Sequence, residues 1–95
     1  MRLSFLIIAL FITSLSYAQQ NVTGTVTDDT GETIPGATIL ELNSSNGVVT
    51  DIDGNFSISV SGSDAILRIS FLGFETQDIT VGARSVIDVT LAQDL

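Results

Sequence analysis

Apolar and polar residues alternate along most of the chain, which is the pattern of half-buried β-strands. The stretch V-T-G-T-V-T-D, residues 22–28, places Val22 and Val26 on one face and threonines on the other. After the first eighteen residues, no stretch shows the 3.6-residue period of a helix. We therefore predict seven short strands, over residues 22–28, 37–42, 47–51, 55–60, 65–71, 75–81 and 86–91.

The same alternation predicts which side chains face the core. In the fourth stretch Phe56, Ile58 and Val60 share one face, as expected for a strand buried on one side. In residues 37–42 apolar side chains fall on both faces, so the inward set of that strand stays open. The side chains predicted for the core in the fifth stretch are Ala65, Leu67, Ile69 and Phe71, and those that share a face in the last stretch are Ile87, Val89 and Leu91.

Turn signals separate these stretches. Pro35-Gly36 fits a type II turn, because proline pre-sets the φ angle and glycine takes the positive φ that follows. Asp53-Gly54 lies between two strand-like stretches and predicts a hairpin, and Gly73 is expected to take a positive φ at a strand corner. Seven short strands with turns about every ten residues predict an all-β fold, a Greek-key β-sandwich.

Residues 1–18 have the pattern of a secretory signal peptide. Arg2 gives a positive start, a mostly apolar run follows, and Ser16-Tyr17-Ala18 places small residues at the −3 and −1 positions of a cleavage site. Crossing a bilayer takes roughly 20 apolar residues, so this run is too short for a membrane anchor. We predict cleavage after Ala18 and one mature domain over residues 19–95.

The composition excludes several classes of function. The chain has three arginines, no lysine, eleven acidic residues, no histidine and no cysteine, and its formal net charge is −8. Without histidine and cysteine there is no zinc site of the usual kind, no cysteine nucleophile and no imidazole base. The strong negative charge opposes binding to nucleic acid and to anionic membranes, both of which depend on cations that neutralise phosphates. We expect neither partner for the mature domain.

Two acidic clusters are candidates for chemistry. Asp51, Asp53 and Asn55 could begin a calcium loop, but the glycine at position 6 and the glutamate at position 12 of an EF-hand are missing. We assign them to the turn, with Asp51 and Asn55 capping backbone donors. The second cluster lies within residues 28–32, and paired carboxylates can perform acid and base chemistry, but a solvated turn explains it. We predict no catalytic residue, no metal site and no cofactor.

Four apolar side chains give the residue-level indication of a partner. Leu40, Leu42, Leu72 and Phe74 could leave apolar surface uncovered. In a domain this small, an exposed apolar patch can mark a docking face. Scattered apolar residues on a protein surface are also normal.

Three motifs occur together in this chain: V-T-G-T-V-T-D-x-x-G-E-x-I-P-G-A-T-I, T-D-I-D-G-N-F and G-F-E-T. Their combination and spacing resemble the carboxypeptidase regulatory-like domain, and more closely its version at the N-terminus of SusC-type TonB-dependent outer-membrane receptors. The resemblance covers residues 20–91. It implies a seven-stranded, transthyretin-like sandwich. It also implies that residues 35–37, 50–56 and 73–75 are turn and core elements, not catalytic ones.

The resemblance implies a non-catalytic accessory domain of a receptor that takes up a glycan or a peptide. Such a domain would lie on the periplasmic face of the outer membrane, beside the receptor's plug and barrel or proteins of the TonB system. It would offer them strand edges or the corner at residues 72–74. Because the sequence stops at Leu95, we expect a receptor fragment or a stand-alone copy. An independent periplasmic or surface module that binds a protein or a carbohydrate is the alternative.

The start of the exported chain tests the assignment of residues 1–18. Because the cleavage motif ends at Ala18, periplasmic material should begin at Gln19. Intact mass spectrometry of the chain purified from the periplasm measures this start. A chain that retains Met1 in a membrane fraction would contradict the assignment.

Overall fold

The computed structural model describes residues 19–95, which form two packed β-sheets. These residues contain no helix, and so none that is long and apolar enough to cross a membrane. The predicted signal peptide, residues 1–18, lies outside the described residues. The strands are β1 (Gln20–Asp28), β2 (Thr38–Glu41), β3 (Gly47–Val49), β4 (Asn55–Val60), β5 (Ile66–Ser70), β6 (Gln77–Thr80) and β7 (Val89–Leu91).

The strands are arranged as a sandwich of a three-stranded and a four-stranded sheet. The first has the order β4-β1-β7 and the second the order β3-β2-β5-β6. β1 runs parallel to β7, and the other pairs are antiparallel. The predicted seven-stranded β-sandwich is confirmed, with several strands shorter than predicted.

The Asp53-Gly54 turn forms, but the predicted hairpin does not. The backbone N–H of Gly54 donates to the carbonyl of Asp51 at 2.9 Å, which closes the turn. The two arms then separate, because β3 pairs with β2 and β4 pairs with β1. The hairpin prediction is therefore wrong. The Asp-Gly signal predicts where the chain reverses, but the two strands on either side of the turn pair in different sheets.

The predicted Pro35-Gly36 turn is anchored by a buried threonine. Gly36 has a φ of 79°, as a type II turn requires, and its N–H donates to the carbonyl of Thr50 at 3.1 Å. The Thr50 hydroxyl donates to the carbonyl of Ile34 at 2.6 Å and accepts from the N–H of Ala37 at 2.9 Å. Thr50 thereby ties this turn to the end of β3.

The core is one apolar layer between the inner faces of the two sheets. The side chains predicted to share a face on β1, β4 and β7 do so, and they point inward. Ala65, Leu67 and Ile69 are buried, as predicted. The prediction for Phe71 is wrong, because β5 ends at Ser70 and the next turn leaves Phe71 37% exposed. The buried apolar residues are Val22, Val26, Ile34, Ala37, Ile39, Phe56, Ile58, Val60, Ala65, Leu67, Ile69, Val81, Ile87, Val89 and Leu91.

Gly24 lets the segment before β7 approach β1. The N–H of Ile87 donates to the carbonyl of Thr23 at 2.8 Å, and the N–H of Thr23 donates to the carbonyl of Ser85 at 2.9 Å. A Cβ on Gly24 would lie only 1.8 Å from the carbonyl oxygen of Ile87. Any other residue at this position would push the two segments apart, so a glycine inside this strand serves close backbone approach.

A buried carboxylate defines the inward face of β2, which the sequence left open. Ala37, Ile39 and Glu41 point inward, and Glu41 is only 7% exposed. Its carboxylate accepts hydrogen bonds from the hydroxyl of Ser61 at 2.6 Å and from the side-chain amide of Asn46 at 3.0 Å. These bonds, that of Ser61 first, lower the pKa of Glu41 because they stabilise the charged form more than burial opposes it. Since Ser61 follows β4, the carboxylate links the two sheets.

Two isoleucines of β5 test the position of the core. Ile69 is fully buried, whereas Ile66 of the same strand points outward and is partly exposed. Ile69→Asp would bury an unpaired charge and should cost about 3 kcal/mol or more, a large part of the stability of a domain this small. Ile66→Asp should leave the domain folded. Thermal unfolding followed by circular dichroism measures both, and equal losses in Tm would contradict the inward position of Ile69.

Glu41 should make the domain sensitive to acid. Because its pKa is lowered on folding, its stabilisation is fully present above the ordinary pKa of 4.5 and is lost as the pH falls through the lower folded value. Glu41→Gln should lower the free energy of unfolding at neutral pH by about 1–3 kcal/mol, because the hydrogen bonds of Asn46 and Ser61 to a buried, charged carboxylate are lost. The difference from wild type should close in acid. Urea denaturation at a series of pH values measures it.

Glu75→Gln is the matched control for charge. Glu75 is exposed, so the substitution removes one negative charge without removing the link between the sheets. It should change the free energy of unfolding by less than about 0.5 kcal/mol. If the deficit of Glu41→Gln stayed constant down to about pH 3, where carboxylates become protonated, the stabilising role of the ionised Glu41 would be disproved.

Candidate interaction surface

The carboxylate of Asp51 is engaged in the turn that follows β3. Its Oδ1 accepts hydrogen bonds from the N–H groups of Asp53 and Asn55, both at 2.9 Å, which confirms the predicted cap. The same prediction for Asn55 is wrong, because its side-chain oxygen accepts from the hydroxyl of Thr25 on β1 at 2.6 Å. The cluster that resembled a calcium loop therefore holds a turn and a strand together.

The second acidic cluster is also a turn. Oδ1 of Asp28 accepts from the N–H of Thr30 at 2.8 Å, the hydroxyl of Thr30 at 2.6 Å and the N–H of Glu32 at 3.0 Å. These bonds, the hydroxyl first, lower the pKa of Asp28, whereas a general acid at neutral pH needs a raised pKa. Across residues 19–95, no three acidic side chains lie close enough together to hold a metal ion.

The corner between β5 and β6 exposes apolar side chains. The N–H of Phe74 donates to the carbonyl of Phe71 at 3.1 Å, and Gly73 takes the predicted positive φ, 90°. Leu72, at the tip, is 94% exposed. The rings of Phe71 and Phe74 lie 6.0 Å apart between centroids at 45°, a tilted aromatic pair within this corner.

The four apolar residues that the sequence singled out do not form one patch. Leu40 and Leu42 are half-buried, and Leu40 lies opposite Arg68 in the middle of its sheet. Phe74 packs against the core, so only Leu72 is fully available. The structure adds Ile52, which sequence reasoning missed. It is 84% exposed at the tip of the Asp53-Gly54 turn, and its place between two turn-forming aspartates was the available signal.

Hydrogen bonds cross both lateral seams of the sandwich, where strand edges would otherwise be open. On one side the amide of Asn46 donates to the carbonyl of Ser59 at 2.7 Å. On the other side the amide of Gln77 donates to the carbonyl of Thr90. Bridged and short edges offer little to an added strand, so the exposed turns are the better candidates for contact with a partner.

A depression of about 180 Å³ opens beside Glu41, and it was not foreseen from the sequence. Asn43, Ser61 and Asp64 are among its lining residues. The only signal available was that Glu41 shares its face of β2 with Ile39. Both carboxylate oxygens of Glu41 already accept hydrogen bonds within the protein. The carboxylate that lines this depression is therefore already paired.

Comparison with known proteins gives close relatives for the whole chain. Residues 22–94 match the family model described as CarboxypepD_reg-like domain. TonB-dependent receptor P39 of Formosa agariphila is 37% identical over 98% of this chain, and TonB-dependent receptor SusC of Bacteroides thetaiotaomicron is 38% identical over 97%. The chain spans only 9% of the length of each of these receptors.

Solved structures show the same fold at low identity. A chain of a type II cohesin–X-dockerin complex from Acetivibrio cellulolyticus matches with a TM-score of 0.58 and 20% identity, over 75% of this chain and 52% of that one. This likeness supports the β-sandwich alone. Because the family model matches nearly all described residues and the receptor relatives align along almost the whole chain, the chain belongs to the CarboxypepD_reg-like domain family.

Proposed function

We propose that this chain is the non-catalytic accessory domain of a TonB-dependent receptor that imports a glycan or a peptide through the outer membrane. The observation that carries the proposal is the alignment with receptor P39, which takes in 98% of this chain but 9% of that receptor. The matched segment is thus a small part of a much larger protein. In this proposal residues 19–95 are the mature module and lie on the periplasmic side.

The state of the carboxylates supports a role without catalysis. Asp28 and Asp51 bond to backbone donors of their own turns. Glu41 lies between the sheets with its pKa lowered, the opposite of what a general acid at neutral pH needs. With no histidine or cysteine in the chain, a catalyst would depend on carboxylates, and these three are engaged in holding the fold.

The module would act by contact. Its seams are bridged and its core is a single packed layer, so it presents a fixed surface to the receptor's plug and barrel or to proteins of the TonB system. Partners that bind fixed surfaces meet a small ordering cost. The exposed turns at Ile52 and Leu72 are the features we assign to this contact.

Fractionation of cells that express the native gene tests the receptor role. An antiserum against residues 19–95 should detect the domain in the outer-membrane fraction, joined to or associated with a receptor. Immunoblots before and after chemical cross-linking measure both the fraction and the size of the species.

The opposite result favours the independent module. If the antiserum detected only a free 77-residue chain in the soluble periplasm, and cross-linking captured no receptor, the accessory role would be contradicted. Immunoblots of whole-cell extract with the same antiserum control for expression of the domain in either case.

A further inference from the structure

Most of the acidic side chains of residues 19–95 lie at one end of the sandwich. β1, β3, β5 and β7 finish at this end, as the pairing of Asp28 with Leu91 and the row Val49–Thr38–Ser70 show. We call it the acidic end. The carboxylates there are Asp28, Asp29, Glu32, Asp51, Asp53, Glu75 and Asp94.

The arginines of the described chain lie away from the acidic end. Arg68 forms an ion pair with Asp78 at 2.8 Å on the outer face of its sheet. Arg84 donates to the carbonyl of Val81 at 3.1 Å, near the opposite end. Within residues 19–95 the acidic end therefore carries seven carboxylates and no cation.

The same end also exposes apolar side chains on neighbouring segments. Ile52 and Leu72 form two of its turn tips, and Val49 at the end of β3 is also exposed. The segments adjoin: a Cβ on Gly36 would lie 3.8 Å from the ring of Phe71, and the N–H of Gly36 bonds to the residue after Val49. Apolar groups and carboxylates thus share one surface.

The fold does not require these apolar tips. The turns depend on the Asp51 cap and on Gly54 and Gly73, so polar residues would serve at positions 52 and 72. The turns at the opposite end contain Ser44-Ser45, Gly62-Ser63 and Arg84-Ser85 at comparable places. Exposed apolar side chains that share a surface with charged groups are a feature of interaction sites.

We propose that the acidic end docks a positively charged segment of a partner protein, in which lysine or arginine flanks apolar residues. Ile52 and Leu72 would be covered by the apolar residues, while the surrounding carboxylates attract and orient the cations. The same charge repels nucleic acid and anionic lipid. The inference rests on the contact proposed above for the turns at Ile52 and Leu72 and names the chemistry of its partner, whereas the fractionation experiment tests the receptor role without reference to these residues.

Titration of the ¹⁵N-labelled chain, purified from the periplasm, tests the proposal. The probe is a short peptide of alternating lysine and leucine. Amide shifts should concentrate at residues 51–54 and 71–75, and added salt should weaken binding. Ile52→Ser together with Leu72→Ser should raise Kd about tenfold or more, because buried apolar area is lost.

Matched variants and control peptides distinguish docking at the acidic end from non-specific binding. Val86 is an exposed apolar residue far from the acidic end, so Val86→Ser should leave Kd unchanged. A peptide with glutamate in place of lysine should not bind. Shifts spread evenly over the domain, an unchanged Kd in the double variant, or no saturable binding to the lysine–leucine peptide would each overturn the proposal. Binding to anionic vesicles but not to the peptide would overturn it in favour of a membrane surface.

Discussion

The apolar layer between the two sheets is the interaction on which the rest of the structure depends. The chain has no cysteine and therefore no disulfide, and the ion pair between Arg68 and Asp78 lies half-exposed on an outer face. Exposed pairs of this kind contribute little to stability. The two sheets are held mainly by alternate side chains of seven short strands, a small area for a domain of this size.

Because the apolar layer is thin, polar groups lie close to its margins. Hydrogen bonds between the two sheets pair these groups. Glu41 reaches across to Ser61, and Asn46 bonds both to Glu41 and to the carbonyl of Ser59. Buried polar groups cost free energy unless they are paired, so this network closes one side of the sandwich. The turns at the acidic end lie beyond the layer, where side chains such as Leu72 can serve recognition without weakening the core.

Most of the fold could be predicted from the alternation of apolar and polar residues, because a period of two shows directly which side chains of β4 or β7 share a face. It failed at the end of one strand and at two places where distant contacts decide. Phe71 continues the pattern of β5 but belongs to the next turn. Glu41 points inward because Asn46 and Ser61, the latter twenty positions later, bond to its carboxylate. The turn at Asp53-Gly54 was correct, whereas the separation of its arms depended on which sheets pack together.

Native-state hydrogen exchange tests most directly whether one shared layer holds both sheets. In conditions where exchange reports the opening equilibrium, the best-protected amides of β1 and β5, one from each sheet, should give the same free energy of opening. That energy should equal the global free energy of unfolding and fall equally with denaturant. If β5 and its sheet opened at a distinctly lower free energy while β1 stayed protected, the sheets would be separate units and the account would be wrong.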